Sequence, residues 1–273
     1  MKRPIFFISD RTGITAEMLG HGLLTQFEGV EFEQSILPFI DSPEAAQRAV
    51  DKIDQAAQQH ACRPLLFSTL IDTELREIIG KSEGVLFDFF DTFIKPLESE
   101  LNTRAKSVLG RSHGMGVYTS YKARIDAVNY ALVNDDGASI NNYKSADIIL
   151  IGVSRSGKTP TCLYLALQYR IMAANYPLTE EDLESSILPK LLEPYQDKLF
   201  GLTINPMRLH QIREERRSNS RYSSLHQCEY EVKTAEKMYH RQRIPFLDTS
   251  SVSIEEIATT IMQQSGLRRH LHR

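Results

Sequence analysis

Residues Ala146 to Tyr169 read ADIILIGVSRSGKTPTCLYLALQY. The apolar run Ile148-Ile149-Leu150-Ile151 predicts a buried strand, and Leu163, Ala166 and Leu167 follow at helical spacing. Between them stands Gly152-Val153-Ser154-Arg155-Ser156-Gly157-Lys158-Thr159, which fits G-x-x-x-x-G-K-[ST] at a strand-to-helix junction. The chemistry needs that order. The strand holds the loop rigidly, and Gly152 and Gly157 admit backbone angles that a side chain forbids. Successive N–H groups then converge as an anion nest at a helix start. All eight loop residues are therefore expected to bind nucleotide phosphate. Lys158 is expected to reach the terminal phosphate, and the Thr159 hydroxyl to ligate Mg²⁺. The loop by itself does not name a reaction.

On the N-terminal side, residues 4–9, Phe32 to Phe39, Pro64 to Ser68 and Val85 to Asp88 read as strands. The segments between them read as helices. Leu19, Leu23 and Phe27 are expected to form the inner face of the first. Pro43 opens the second, with Ala46, Ala49, Val50, Ile53 and Ala57 as its apolar stripe. A short third helix is expected over Asp72 to Ile79. Alternating strands and helices with right-handed crossovers give a doubly wound α/β unit. It is expected to cover residues 1–100, followed by a P-loop kinase-like α/β domain over 101–273.

Glu98 to Tyr118 contains Gly110-Arg111-Ser112-His113-Gly114-Met115-Gly116 and reads as a loop, in which His113 is a candidate phosphate contact or acid/base. A helix with Tyr121, Ile125, Val128 and Leu132 on one face then runs into Asp135-Asp136-Gly137, with Gly137 as its expected C-terminal cap. Two carboxylates at a helix C-terminus oppose the macrodipole and repel each other, so this choice points toward function. Beyond the loop, Pro177 to Pro194 reads as a connection carrying a short acidic helix, and Leu199 to Ile204 as a strand. Arg208, His210, Arg213, Arg216, Arg217 and Arg221 form a basic segment, either a solvated helix face neutralised by Glu214 and Glu215 or a phosphate clamp. A helix follows with Leu225, Cys228, Val232, Ala235 and Tyr239 at helical spacing, and then a strand over Ile244 to Asp248. Ser253-Ile254-Glu255-Glu256 is a capping box that opens the last helix. Asp10, Asp88 and Asp248 stand at strand ends, where ligands bind in parallel sheets.

The 273 residues carry a net charge of -3, which argues against a nucleic-acid partner. No apolar run approaches the ~20 residues that span a membrane, and the N-terminus reads as a strand and not as a signal peptide. Cys62, Cys162 and Cys228 are scattered and form no C-x-x-C pair, which suits reduced thiols in a cytoplasmic protein. Asp10-Arg11-Thr12-Gly13 fits the D-x-x-G of a GTPase, but it precedes the loop and no N-K-x-D motif occurs, so that class is set aside.

The chain resembles the regulatory proteins of phosphoenolpyruvate synthase and of pyruvate phosphate dikinase. The resemblance rests on Ser9-Asp10 with Thr12 to Glu17, Gly110-Arg111-Ser112-His113, Asp135-Asp136-Gly137, Ala146-Asp147 and Gly152 to Pro160. It continues through Ala174 to Leu178, Gly201-Leu202-Thr203 and Ile254 to Ala258, covering nearly the whole chain. It implies a bifunctional regulator that phosphorylates a target threonine with ADP and removes the phosphate with inorganic phosphate, releasing pyrophosphate. It also implies that Lys158 neutralises the β-phosphate, and it marks the Asp135-Asp136-Gly137 motif, in which Asp135 or Asp136 is the candidate base. The expected target is phosphoenolpyruvate synthase ahead of the dikinase, and a homodimer is an accompanying expectation. Two other classes remain open on the residues alone: a small-molecule P-loop kinase with an arginine lid, and a nucleotide-sensing module without turnover.

Overall fold

The computed structural model describes residues 2–105, 118–137, 140–185 and 187–267. His113 with its glycine-rich loop, and the basic tail, lie outside the described residues. The chain divides into two compact units, Met1–Gly114 and Met115–Arg273. Among the described residues no helix is long and apolar enough to cross a membrane.

The first unit runs β1 (Arg3–Ile8), α1 (Ile14–Leu24), β2 (Phe32–Leu37), α2 (Pro43–His60), β3 (Leu65–Ser68), α3 (Thr73–Ile79), β4 (Val85–Asp88) and α4 (Phe89–Leu101). Its sheet has the order β2-β1-β3-β4 with every pairing parallel. Side chains alternate along β1. Ile5 and Phe7 pack with Ala16 and Leu24 of α1, while Phe6 and Ile8 pack with Ala46, Ala49 and Ile53 of α2 and with α3. Helices thus cover both faces, as a doubly wound unit requires. The α2 stripe is buried as expected. Its start is fixed by Pro43 and by Ser42 Oγ, which accepts the Ala45 N–H at 3.2 Å, a cap worth about 1 kcal/mol.

Helix α1 does not use the expected face. Leu19, Leu23 and Phe27 are 47%, 50% and 61% exposed, and Ala16, Gly20 and Leu24 face inward. The cause is close approach. A Cβ on Gly20 would stand 2.6 Å from Phe7 Cε1 and 2.9 Å from Phe67 Cγ. The helix lies on its smallest residues and turns the larger ones out. Helix α4 is an addition to the expected elements, capped by Asp88, whose carboxylate accepts the Asp91 N–H at 2.7 Å.

The second unit runs α5 (Tyr118–Val133), two short helical turns (Asp135–Gly137 and Ile140–Ser145), β5 (Ile148–Gly152) and α6 (Lys158–Tyr164), which widens into a π turn over Leu165–Tyr169. Then come β6 (Ala173–Pro177), α7 (Glu180–Ser185), β7 (Leu199–Thr203), α8 (Pro206–Arg216), α9 (Leu225–Gln242), β8 (Phe246–Asp248) and α10 (Ile254–Gln264). The sheet order is β6-β5-β7-β8, again all parallel. Ile148 and Leu150 pack under α5, α6 and α10, and Ile149 and Ile151 under α8 and α9. The α10 capping box is present, with Ser253 and Glu256 bonded reciprocally.

Three readings of this unit need correction. Strand β6 was missed, and only its last residue, Pro177, was read, as the start of a connection. Its sequence, AANYP, has few strand-favouring residues, and Pro177 is tolerated because β6 is an edge strand. Helix α5 buries Ala127 and Ala131, leaving Ile125 and Leu132 exposed. Leu167 is 48% exposed because the π turn breaks the α-helical register; Ala166 is buried as expected, and Leu165 is buried in place of Leu167.

Candidate functional site

The glycine loop joins β5 to α6 at the centre of the second sheet. A Cβ on Gly152 would meet the Leu202 carbonyl oxygen at 2.6 Å and Ser156 Oγ at 2.7 Å, so no other residue fits. Gly157 has φ 90 and closes the turn into the helix. Arg155, at φ 76, also adopts the left-handed region, at a cost of about 1 kcal/mol for a residue with a Cβ. The loop is held by Thr249 Oγ1, which donates to the Ser156 carbonyl at 3.2 Å.

Lys158 is buried. Its Nζ donates to the carbonyls of Gly152 at 3.0 Å and Val153 at 2.9 Å. Burial lowers its pKa to about 8, against the opposing pull of the Asp136 and Asp135 carboxylates. The first turn of α6 has no side-chain cap.

Asp135 and Asp136 take different positions. The Asp135 carboxylate accepts the Thr159 hydroxyl at 2.8 Å and a short hydrogen bond from the Asn175 side-chain amide. Asn175 Oδ1 in turn accepts the Asp136 main-chain N–H at 3.0 Å. Asp136 itself stands at φ 49 inside the short turn Asp135–Gly137 that follows α5, where Gly137 was expected as the helix cap. The hydrogen bond to Asn175, worth about 1 kcal/mol, offsets the strain. The Asp136 side chain is exposed and lines a cavity of about 250 Å³ together with Arg155, Lys158, Thr159, Ile212 and Arg216.

Thr159 and Asp135 form an oxygen pair suited to Mg²⁺ beside a phosphate chain. Among the described residues no three His, Cys, Asp or Glu side chains cluster as a metal cage. The two oxygen donors of Thr159 and Asp135 fit an ion that completes its shell with phosphate and water, as Mg²⁺ usually does.

The basic segment splits by position. Arg213 is neither solvated nor a clamp: it is fully buried. Its guanidinium donates to Glu231 at 2.6 Å, to the Tyr222 carbonyl at 2.9 Å and to the Ser154 carbonyl at 3.1 Å, and it lies 4.2 Å over the Tyr222 ring. Tyr222 and Ser154 hydroxyls are 3.0 Å apart. This network ties α8 and α9 to the loop. Arg216 lines the cavity, while Arg208, Arg217 and Arg221 are exposed.

None of the three strand-end aspartates lines the cavity. Asp88 caps α4 and accepts Ser68 Oγ at 3.1 Å. Asp248 accepts the Ser250 N–H at 2.8 Å. Asp10 is buried in the first unit, and burial raises its pKa. Asn175, Tyr222 and Glu231 were not anticipated. Asn175 falls within a stretch singled out for the resemblance, and that was its only signal.

Fold and site together define an α/β protein in which a glycine loop between a parallel strand and a helix stands beside a hydroxyl, two carboxylates and a buried lysine. A family model described as Kinase/pyrophosphorylase matches residues 5–262. The chain belongs to this family. It is 55% identical over 271 residues to a protein of Hahella chejuensis, covering 99% of this chain and 100% of that one. It is 56% identical over 270 residues to one of Marinobacter nauticus, with the same coverage. A relative from Legionella pneumophila (strain Paris) is 51% identical over 271 residues, again covering 99% and 100%. All three are named "Putative phosphoenolpyruvate synthase regulatory protein".

Proposed function

We propose that this chain is a cytoplasmic bifunctional regulator of phosphoenolpyruvate synthase. With ADP it phosphorylates a threonine of the synthase and inactivates it. With inorganic phosphate it removes that group as pyrophosphate. The family description, which pairs the two activities, and the names of the relatives support this reading.

The observation that carries the chemistry is the division between the two aspartates. Asp135 is tied to Thr159 and Asn175, whereas the Asp136 carboxylate lines the cavity and has no hydrogen-bond partner among the described residues. In the forward direction the threonine Oγ attacks the β-phosphorus, the bond to the AMP oxygen breaks, and Asp136 takes the hydroxyl proton. In the reverse direction an oxygen of inorganic phosphate attacks the phosphothreonine phosphorus. The bond to threonine breaks, and Asp136 passes the proton that it takes from the attacking phosphate hydroxyl to the threonine oxygen. Lys158 in its ammonium form and the loop N–H groups neutralise the phosphoryl oxygens. Thr159 and Asp135 would hold Mg²⁺, which supplies further charge neutralisation when bound. Catalysis is then mainly positioning and electrostatics.

Incubation with purified synthase and ADP, followed by labelled inorganic phosphate and mapping of the modified residue, tests the reading. The expected products are AMP, one phosphothreonine and then labelled pyrophosphate. Consumption of ATP with a metabolite acceptor would instead mark a small-molecule kinase. Modification of pyruvate phosphate dikinase in place of the synthase would reassign the target.

A further inference from the structure

The cavity beside the loop has a volume of about 250 Å³. Its charged walls are Lys158, Asp136, Arg155 and Arg216. Lys158 points its ammonium onto the loop's own Gly152 and Val153 carbonyls. Arg155 and Arg216 have no ion-pair or hydrogen-bond partner among the described residues. Free exposed arginines are common, but two features set these apart. Arg155 is held at φ 76, a backbone conformation that residues with a Cβ rarely adopt. Arg216 is in register with the loop. Three residues earlier on the same helix, buried Arg213 grips the Ser154 carbonyl at 3.1 Å and Glu231 at 2.6 Å. Ile212, one turn before Arg216, shares the cavity wall.

We infer that Arg155 and Arg216 form a second phosphate subsite next to the loop, and that it holds inorganic phosphate during phosphorolysis. The inference rests on the reaction pair proposed above. The transferred phosphoryl group has two alternative partners on its non-threonine side, the phosphate of AMP and inorganic phosphate. AMP brings an adenosine to bind. Inorganic phosphate brings only charge and hydrogen-bond acceptors, so charged donors must hold it. Guanidinium forks match phosphate oxygens in pairs, and two of them outweigh the single repelling carboxylate of Asp136. An oxygen of the phosphate so held gives its proton to Asp136 and forms the bond to the phosphothreonine phosphorus, and the threonine oxygen leaves with that proton.

Steady-state kinetics of Arg216→Gln and Arg216→Lys in both directions test the subsite. Losing one charged fork is expected to raise KM for inorganic phosphate about tenfold or more. KM for ADP should rise much less, so the ratio of the two climbs. The lysine variant, which keeps the charge but not the fork, should fall between glutamine and arginine. An equal rise in both KM values would assign Arg216 to the nucleotide, and an unchanged KM for phosphate would leave no subsite; either overturns the inference. A ³¹P NMR titration of the whole protein with inorganic phosphate alone gives an answer independent of turnover. Weaker binding in Arg216→Gln supports the subsite, and equal binding overturns it. If the wild-type protein makes no pyrophosphate from phosphorylated synthase, the proposed function fails, and this titration still decides the subsite.

Discussion

The Asn175 side-chain oxygen accepts the Asp136 main-chain N–H at 3.0 Å, while its amide nitrogen donates to the Asp135 carboxylate. One buried side chain on an edge strand thereby fixes both aspartates. Asn175→Ala should release the strained turn at Asp136 and loosen Asp135 from Thr159. Turnover is expected to fall about 10- to 100-fold, the range for lost supporting partners of a metal site. The Mg²⁺ concentration for half-maximal rate should rise. An unchanged Mg²⁺ dependence with only a lower melting temperature would make Asn175 purely structural.

Exchanging the two acids one at a time separates their roles. Asp136→Asn should cut kcat by about 100-fold or more, the scale of general-base catalysis, with little change in ADP affinity. Asp135→Asn should weaken ADP binding in the presence of Mg²⁺. Equal losses of affinity in the two variants would contradict the assignment.

Under the proposed function, ADP binding is expected to depend on pH through Lys158. Its pKa is lowered to about 8 in the free protein because the ammonium is buried. In the unfolded chain it lies near 10.4. Between these values the unfolded chain holds a proton that the folded chain does not, so stability rises with pH across that window, and the cost of burying the charge is full below it. A bound phosphate favours the ammonium. ADP affinity should therefore fall as pH rises through about 8, with proton uptake on binding. Calorimetry in buffers of different ionisation enthalpy measures that uptake; a flat profile, or one retained in Lys158→Ala, would contradict it.

The Arg213–Glu231 pair is buried, with side chains 0% and 9% exposed. Glu231→Gln leaves the guanidinium without its counter-charge. Removing one partner of such a pair typically costs about 3–5 kcal/mol, which urea denaturation would read directly. ADP affinity should also fall, because Arg213 positions the Ser154 carbonyl in the loop. A loss below about 1 kcal/mol would show that the tie contributes little.

The loop and its strand were legible because an apolar run and a fixed motif leave few alternatives, whereas the order of strands around them was not read. Helix faces were less so. In α1 and α5 the inward positions are Gly20, Ala127 and Ala131, and periodicity of large apolar residues points elsewhere. Close packing on small residues depends on Phe7 and Phe67, which are distant in sequence from Gly20. Strand β6 was hidden by its alanines and Pro177, and with it Asn175, whose importance comes from a hydrogen bond 39 residues back to Asp136. Arg213 sits among exposed arginines, and nothing local separates it from them. Its burial follows from Glu231, one helix further on.

The most direct test of the central claim is transfer of label from ADP carrying ³²P in its β-phosphate to purified phosphoenolpyruvate synthase. The wild-type protein should place the label on a threonine and release AMP, Lys158→Ala should place none, and inorganic phosphate should then remove the label as pyrophosphate. Label appearing only from ATP, or transfer that persists in Lys158→Ala, would contradict it.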